Sequence, residues 1–319
     1  MAMPTAFAIV GLGRIGGGLA TAACARGLRV VGLDVAPPAA ALREAGVEIV
    51  ADAAALAAAL PRPRVVMLYV PAGPAVDELL DSLAAVLERG DVLVDGGNSW
   101  WRDSQRRHAR LAARGIGFVD AGTSGGVAGA RDGACFMVGG SDADVAVVAP
   151  LLGKLAVDGG FAHAGGPGMG HYAKLVHNGI EFGMLEALGE GLDLLERGPD
   201  AIDTAAVLEC WRHGSVIRSW LVDLLATSYA SRDGVADVPG YVEDTGEVSW
   251  LVDDALRLEV SIPVIAQSVM RLIASRDGER NWARAIAMMR HGFGGHPFGP
   301  DAAIARERRI GRVGGGPGA

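Results

Sequence analysis

The stretch Phe7-Ala8-Ile9-Val10-Gly11-Leu12-Gly13-Arg14-Ile15-Gly16 decides the fold. An apolar run of strand composition leads into G-x-G-x-x-G, after which Leu19, Ala22 and Ala23 continue at helical spacing. Each glycine has a physical task. Gly11 permits a tight turn, Gly13 lets the backbone approach a pyrophosphate, and Gly16 lets helix and strand pack closely. The helix N-terminus then supplies amide donors and partial positive charge. In a chain with 47 glycines the bare pattern also reads as a structural turn. Its place between a strand and a helix, opening a βαβ unit, favours a dinucleotide cradle made of Gly11, Leu12, Gly13, Arg14, Ile15 and Gly16. A second apolar run ends at Leu33-Asp34-Val35, putting Asp34 18 residues beyond Gly16. A carboxylate there accepts hydrogen bonds from a ribose 2′-hydroxyl and repels a 2′-phosphate. No arginine follows at once to hold such a phosphate, so the expected cofactor is NAD rather than NADP. Arg29, ahead of that strand, reads as a solvated surface residue.

Outward from this motif, short apolar runs alternate with helical patterns. Phe7–Val10, Arg29–Leu33, Arg64–Val70, Asp91–Val94, Phe118–Val119 and Cys135–Val138 have strand character. Asp52–Leu60 and Ala75–Glu88 carry apolar residues at helical spacing. The alternation predicts a Rossmann-type, doubly wound parallel sheet over residues 1–165. Gly165-Gly166-Pro167-Gly168-Met169-Gly170 marks the boundary, and residues 166–310 read almost entirely as helix. The expected helices there are Tyr172–Glu196, Ala201–His213, Val216–Leu225, Val248–Leu258, Pro263–Ser275 and Asn281–Met289. Residues 311–319 are glycine-rich and expected to be disordered. The fold class is α/β followed by all-α.

The composition agrees with this reading. Two domains suit 319 residues, and 50% hydrophobic content with 21% charged residues provides a core and argues against disorder. A net charge of −8 gives no overall basic footprint for nucleic acid or an anionic membrane, which leaves only a local patch as the alternative. No run of about 18 uncharged apolar residues exists, so no spanning helix is expected, and Met1–Val10 has no basic region of a signal peptide. Cys24, Cys135 and Cys210 are scattered, odd in number and without metal spacing, which fits a reducing cytoplasm. No metal is expected. His108, His163, His213 and His291 likewise lack ligand spacing and are expected in core or surface roles.

Three segments carry chemistry. Asp95-Gly96-Gly97-Asn98-Ser99 ends a predicted strand, which aims Asn98 at the crevice outside the sheet's carboxyl edge; a plain strand-to-helix turn capped by Ser99 or Asn98 is the structural alternative. Asp120-Ala121-Gly122-Thr123-Ser124-Gly125-Gly126 leaves backbone N–H groups open and adds the Ser124 hydroxyl, a set suited to a carboxylate; it also reads as a glycine-rich connection. The third is the most specific. Lys174, His177, Asn178 and Glu181 fall at i, i+3, i+4 and i+7, on one stripe of a helix, with Tyr172, Leu175, Val176 and Ile180 on the apolar remainder. Of the 29 lysines and arginines only Lys154 and Lys174 are lysine. Arginine stays charged in proteins, whereas a partly buried lysine can lose its proton and act as a base. His171 is either a member of this stripe or a gate to the preceding loop. Trp100 and Trp101 read as packing residues, with one ring placed to flank the crevice as the alternative.

With these residues in place, the chain resembles the β-hydroxyacid dehydrogenase superfamily, and within it the shorter, decarboxylating, NAD-linked 6-phosphogluconate dehydrogenase family. The likeness runs to His296. Its specific parts are His177-Asn178-Gly179-Ile180-Glu181, Gly214 to Arg218-Ser219, and Arg290-x-x-Phe293-Gly294-x-His296. The resemblance implies Lys174 as the base at the C3 hydroxyl and Glu181 as proton donor to C1 after loss of CO2. It implies Ser124, Gly125 and Gly126 at the substrate carboxylate, and Asn98, His177 and Asn178 at its hydroxyls beside the nicotinamide. Arg218 and Arg290 are implied for the phosphate. His296 is implied to reach the substrate on a tail supplied by a partner subunit, giving a homodimer or homotetramer. Two positions depart from the family. Phe182 stands where a phosphate-binding tyrosine is frequent, and Asp244-Thr245-Gly246-Glu247 holds no lysine. The alternatives are a 3-hydroxy acid dehydrogenase that stops after oxidation, an enzyme for a non-phosphorylated sugar acid, and a non-catalytic NAD-binding sensor.

Overall fold

A computed structural model describes residues 5–198, 200–232, 234–302 and 304–305. The strands are β1 (Ala6–Val10), β2 (Arg29–Leu33), β3 (Glu48–Ile49), β4 (Val65–Leu68), β5 (Val92–Asp95), β6 (Gly117–Ser124), β7 (Ala134–Gly139) and β8 (Ala156–Gly165). Between them lie α1 (Arg14–Ala25), α2 (Ala40–Glu44), α3 (Ala53–Ala59), α4 (Pro74–Ala84), α5 (Trp101–Ala112), α6 (Gly126–Asp132) and α7 (Asp142–Leu155). The sheet runs β3-β2-β1-β4-β5-β6-β7-β8. Each neighbour pair is parallel except β6 with β7, which pair antiparallel from Asp120↔Gly139 to Ser124↔Cys135. The expected parallel sheet is therefore mixed toward its β8 edge. The antiparallel turn is possible because the connection through α6 is short and closes over Gly133, whose φ of 141° is open to glycine alone.

All five residues of β1 are buried, as a strand covered on both faces requires. Alternation divides them. Phe7 and Ile9 join Leu19, Val30, Met67 and Phe136 in one core layer. Ala8 and Val10 join Leu56, Val66, Leu80 and Phe118 in the other.

The helical part contains α8 (Met169–Glu196), α9 (Thr204–Trp211), α10 (Trp220–Arg232), α11 (Glu247–Arg257), α12 (Pro263–Arg276) and α13 (Asn281–Gly294). The first compact unit takes in residues to Gly234 with Asp244–Val269, so it includes α8 and α11 beside the sheet. The chemical reason is visible at the start of α8. Asp120, fully buried on β6, accepts from the Gly168 N–H at 2.7 Å and the His171 N–H at 2.8 Å. It thereby satisfies amides that a helix start leaves unpaired, with charge of the favourable sign for the helix dipole. Gly139 and Gly170 make room for this contact, since a Cβ on either would come within 2.7 Å of backbone or of the Asp120 carboxylate.

The second unit holds Val235–Glu243 and the residues from Met270 onward. Within it the Val242 N–H donates to Ser275 Oγ at 3.1 Å and Arg276 pairs with Glu243 at 3.4 Å. Residues 311–319, expected as a disordered tail, lie outside the described residues. No described helix is long and apolar enough to cross a membrane.

Candidate active site

The glycine loop opens as its sequence requires. Gly11 has φ 89°, and a Cβ there would meet the Tyr69 carbonyl oxygen at 2.3 Å. A Cβ on Gly16 would meet the Gly11 carbonyl at 1.9 Å. Gly13 differs: nothing lies within 4 Å of the position of a Cβ, so its open side faces free space at the start of α1. Asp34 accepts from the Leu12 N–H at 2.5 Å and the Ala36 N–H at 2.9 Å, holding the loop to the end of β2. Glycines that allow close packing, one open glycine and free amides at a helix start fit a dinucleotide pyrophosphate. Arg29 is exposed as expected, with its guanidinium on Glu48 and the Ala59 carbonyl.

Asn98 owes its position to a buried network. Asp95 at the end of β5 accepts from the Gly97 N–H, the Ser99 hydroxyl at 2.8 Å and Arg107 at 3.3 Å. Arg107 is fully buried and also reaches Asp77 and the Gly73 carbonyl. Ser99 is thus engaged with Asp95, and the N-cap of α5 is Trp100, without a side-chain cap bond. Burial pushes the Asp77 carboxyl up, but hydrogen bonds from Arg107 and Arg106 outweigh that and hold it down to about 2. Trp101 packs beneath, its indole N–H on Asp254 at 2.6 Å and its edge on Tyr172.

The segment expected as a loop at Asp120–Ser124 is the carboxyl half of β6, and its turn is Gly125-Gly126 at the head of α6. Regular strand pairing with β7 brings this segment alongside α8. A Cβ on Gly122 would come within 2.4 Å of Lys174 Cβ, so glycine is what lets the helix seat against the strand.

The stripe on α8 forms one connected group. His177 Nε2 is 3.1 Å from Ser124 Oγ, and its Nδ1 lies 3.2 Å from Asn178 Oδ1, 3.4 Å from Lys174 Nζ and 3.8 Å from Glu181. One tautomer satisfies the set: Nδ1–H donates to Asn178 Oδ1, and Nε2 accepts from the Ser124 hydroxyl. Lys174 Nζ then faces an N–H, which suits a neutral amine. Burial pulls the Lys174 ammonium below the ordinary lysine value, and the charges of Glu181, Glu247 and Cys135 act in the opposite direction. His171 is buried, with Nδ1 2.7 Å from Ser104 Oγ and no described partner for Nε2.

A single cavity of about 1140 Å³ joins these pieces. Gly13, Arg14, Ile15 and Gly16 line it together with Asn98, Ser124, Gly125, Gly126, Lys174, His177, Asn178 and Glu181. Phe182 is on its wall. Ser219 and Trp220 line it from the start of α10, while the adjacent Arg218 is exposed and its side chain stands outside the lining. Arg290 and His296 belong to the second unit, where Arg290 is exposed on α13 and His296 stacks edgewise on Phe293. Among the lining residues to which sequence reasoning gave no role in the site, two make polar contacts in it. Tyr69 follows β4, shares a 3.1 Å hydrogen bond with Thr123 Oγ1 and lies against Gly96; burial pushes its phenol well up. Glu247, at the start of α11, accepts from Asn98 Nδ2 at 3.2 Å and Asn178 Nδ2 at 3.4 Å. Among the described residues no cluster of His, Cys, Asp and Glu is disposed to hold a metal.

The family model described as the NAD binding domain of 6-phosphogluconate dehydrogenase matches residues 6–165, and the 6-phosphogluconate dehydrogenase C-terminal domain matches 170–302. YqeC of Bacillus subtilis, which carries a provisional 6-phosphogluconate dehydrogenase name, is 39% identical over 289 residues, 90% of this chain and 97% of that one. The NAD(+)-dependent, decarboxylating 6-phosphogluconate dehydrogenase of Haloferax volcanii is 40% identical over 233 residues, 72% of this chain and 77% of its own. The fold is shared with the solved 6-phosphogluconate dehydrogenase of Plasmodium falciparum, with a TM-score of 0.77 at 24% identity, over 93% of this chain and 66% of that one.

Proposed function

The chain belongs to the 6-phosphogluconate dehydrogenase family, and on that premise we propose that it oxidises 6-phosphogluconate at C3 with NAD and decarboxylates the product to ribulose 5-phosphate and CO2. The observation that carries this reading is the Lys174–His177–Asn178–Glu181 stripe on the wall of the cavity that the Gly13–Gly16 loop also lines. Gly11 to Gly16 hold the cofactor's pyrophosphate and Asp34 its ribose, and the absence of a cation after Asp34 favours NAD. The nicotinamide supplies the hydride acceptor.

The chain's residues supply the rest. Ser124, Gly125 and Gly126 bind the substrate carboxylate, and Asn98, His177 and Asn178 orient its hydroxyls. Lys174 Nζ, whose charged form burial disfavours, takes the C3 hydroxyl proton. Once C3 is a ketone, the carboxylate β to it leaves as CO2 and its electron pair drains toward the carbonyl. Protonated Lys174 donates to that oxygen, giving an enediol. Glu181 then delivers a proton to the former C2, which becomes C1 of the ribulose phosphate, while Lys174 recovers one from the enediol oxygen. Arg218 and Arg290 hold the phosphate as bidentate donors. Arg290 and His296 come from the partner in a homodimer or larger homo-oligomer, and residue 165 divides the nucleotide half from the substrate half. The three unpaired cysteines suit a cytoplasmic setting.

A second reading, a non-phosphorylated sugar acid as substrate, is favoured by the cavity wall. Its described cations are only Arg14 and Lys174, and Phe182 and Glu247 stand where phosphate ligands would be welcome. One experiment separates these. NADH is followed at 340 nm with 6-phosphogluconate while CO2 is trapped, with gluconate and NADP run alongside. Equal NADH and CO2 from 6-phosphogluconate supports the proposal. NADH without CO2 supports a dehydrogenase that stops after oxidation, turnover of gluconate alone supports the second reading, and nucleotide binding without turnover leaves a sensor.

A further inference from the structure

We propose that Glu247 is a positioning residue of the active site, fixing the orientation of both asparagine amides and, through Asn178, the tautomer of His177. The proposal rests on the reaction assigned above. Its basis is the asymmetry of the groups involved. A carboxylate accepts hydrogen bonds and donates none, while a primary amide has one accepting and one donating end. Glu247 Oε1 lies 3.2 Å from Asn98 Nδ2 and 3.4 Å from Asn178 Nδ2. Both amides must therefore turn their nitrogens to Glu247 and their carbonyl oxygens away. For Asn178 this puts Oδ1 at His177 Nδ1, 3.2 Å away, so that nitrogen carries the proton. His177 Nε2 is left to accept from Ser124 Oγ, and Lys174 Nζ faces a donor. For Asn98 it leaves Oδ1 as an acceptor for a substrate hydroxyl. The hydroxyl of Thr245 in turn donates to Oε2 of Glu247, fixing the carboxylate plane.

Glu247 also bears on the charge of Lys174. The groups around that amine are His171, His177 and Glu181 from α8, Glu247 from α11 and Cys135 from β7, while Asp120 on β6 is taken up by the α8 amides. The charge of Glu247 opposes the effect of burial on the amine. One residue thus selects the tautomer that Lys174 meets and moderates how easily Lys174 loses its proton.

The test compares E247Q and E247A with the wild type. Glutamine keeps an accepting oxygen and loses the charge; alanine loses both. E247A is expected to lower kcat/KM about 100-fold, the scale of a small misplacement of reacting groups. E247Q is expected to recover most of that loss and to move the acidic limb of the pH profile of kcat/KM to lower pH. NADH affinity, read by fluorescence titration, reports folding and is expected to stay unchanged. A second readout needs no turnover. The chain has only two lysines, so competitive labelling with an amine reagent and mass spectrometry follows Lys174 against pH with Lys154 as internal reference. Its midpoint is expected to fall in E247Q and E247A. If wild-type activity is absent, the reaction assignment fails while the labelling still reports on Glu247. Unchanged labelling midpoints, or E247A within twofold of wild-type kcat/KM, would overturn the proposal.

Discussion

Substituting Gly122 by alanine tests the link between strand packing and catalysis. The new Cβ would lie 2.4 Å from Lys174 Cβ and 3.0 Å from the Gly170 carbonyl, whereas ordinary contact begins at 3.4 Å. The first atom is next to the helix backbone and the second belongs to it, so neither is the free end of a flexible chain. Relief requires α8 to move from β6 by about 1 Å. Overpacking of this kind costs about 1–3 kcal/mol, more than the few tenths to 1 kcal/mol gained from a less flexible unfolded chain. The same shift carries Lys174 away from Ser124 and from the substrate, and a 1 Å error in a reacting group lowers rates about 100-fold. The nucleotide loop at Gly11–Gly16 is untouched. Urea unfolding should therefore show a loss of about 1–3 kcal/mol, and kcat/KM should fall about 100-fold with NADH affinity unchanged. An alanine variant with wild-type kcat/KM would refute the idea that glycine at 122 sets the position of the lysine.

Gly13→Ala is the converse case: with open space around its Cβ it should leave the melting temperature near wild type while weakening nucleotide binding, measured by fluorescence titration. Asp120→Ala removes the acceptor of two buried amides and should lower stability by about 3–5 kcal/mol, read by urea denaturation. Asp77→Asn bears on acid stability. A carboxyl held at about 2 against its ordinary 3.8 contributes about 2 kcal/mol that is present above pH 4 and lost as pH falls toward 2, so the difference between variant and wild type in urea should shrink over that window. Because burial lowers the proton affinity of Lys174, kcat/KM should rise with pH through a limb below the ordinary lysine range; Lys174→Arg, unable to give up its proton, should abolish turnover and preserve NADH binding.

The parts most legible from sequence were those where local pattern and chemistry coincide. The strand Arg29–Leu33 is found with the expected bounds, and the run Phe7–Val10 begins one residue earlier, at Ala6. The stripe on α8 needs only helical periodicity to bring its four polar residues together. Other elements were hidden for identifiable reasons. β8 holds three glycines and three alanines with one Asp and one His and is largely exposed, so it lacks the apolar signature of a buried strand. α7 contains Pro150, and α5 is dominated by arginine and other polar residues. The direction of β7 depends on pairing with β6, which short strands of similar composition do not reveal. Tyr69 and Glu247 reach the site only through the fold. Tyr69 follows a strand with no glycine or charge signal, and Glu247 stands 66 residues beyond Glu181 in a polar segment. The acceptor-only chemistry of Glu247 acquires meaning once the two asparagine amides are beside it.

The clamp between Asp120 and the start of α8 has a consequence for anyone recombining this enzyme with its relatives. A glycine-rich turn at residues 165–168 looks like a natural splice point, yet the first turn of the following helix is held by a carboxylate from the sheet, and Lys174 seats on a glycine of the same strand. A chimera joined at that turn would pair one parent's carboxylate and glycines with the other parent's helix, testing their fit at the place where Lys174 is seated. A junction placed after Glu181 transfers the sheet, the clamp and the whole stripe as one inherited block. Domain exchange in this family should therefore succeed or fail by whether the crossover falls before or after the stripe that ends at Glu181.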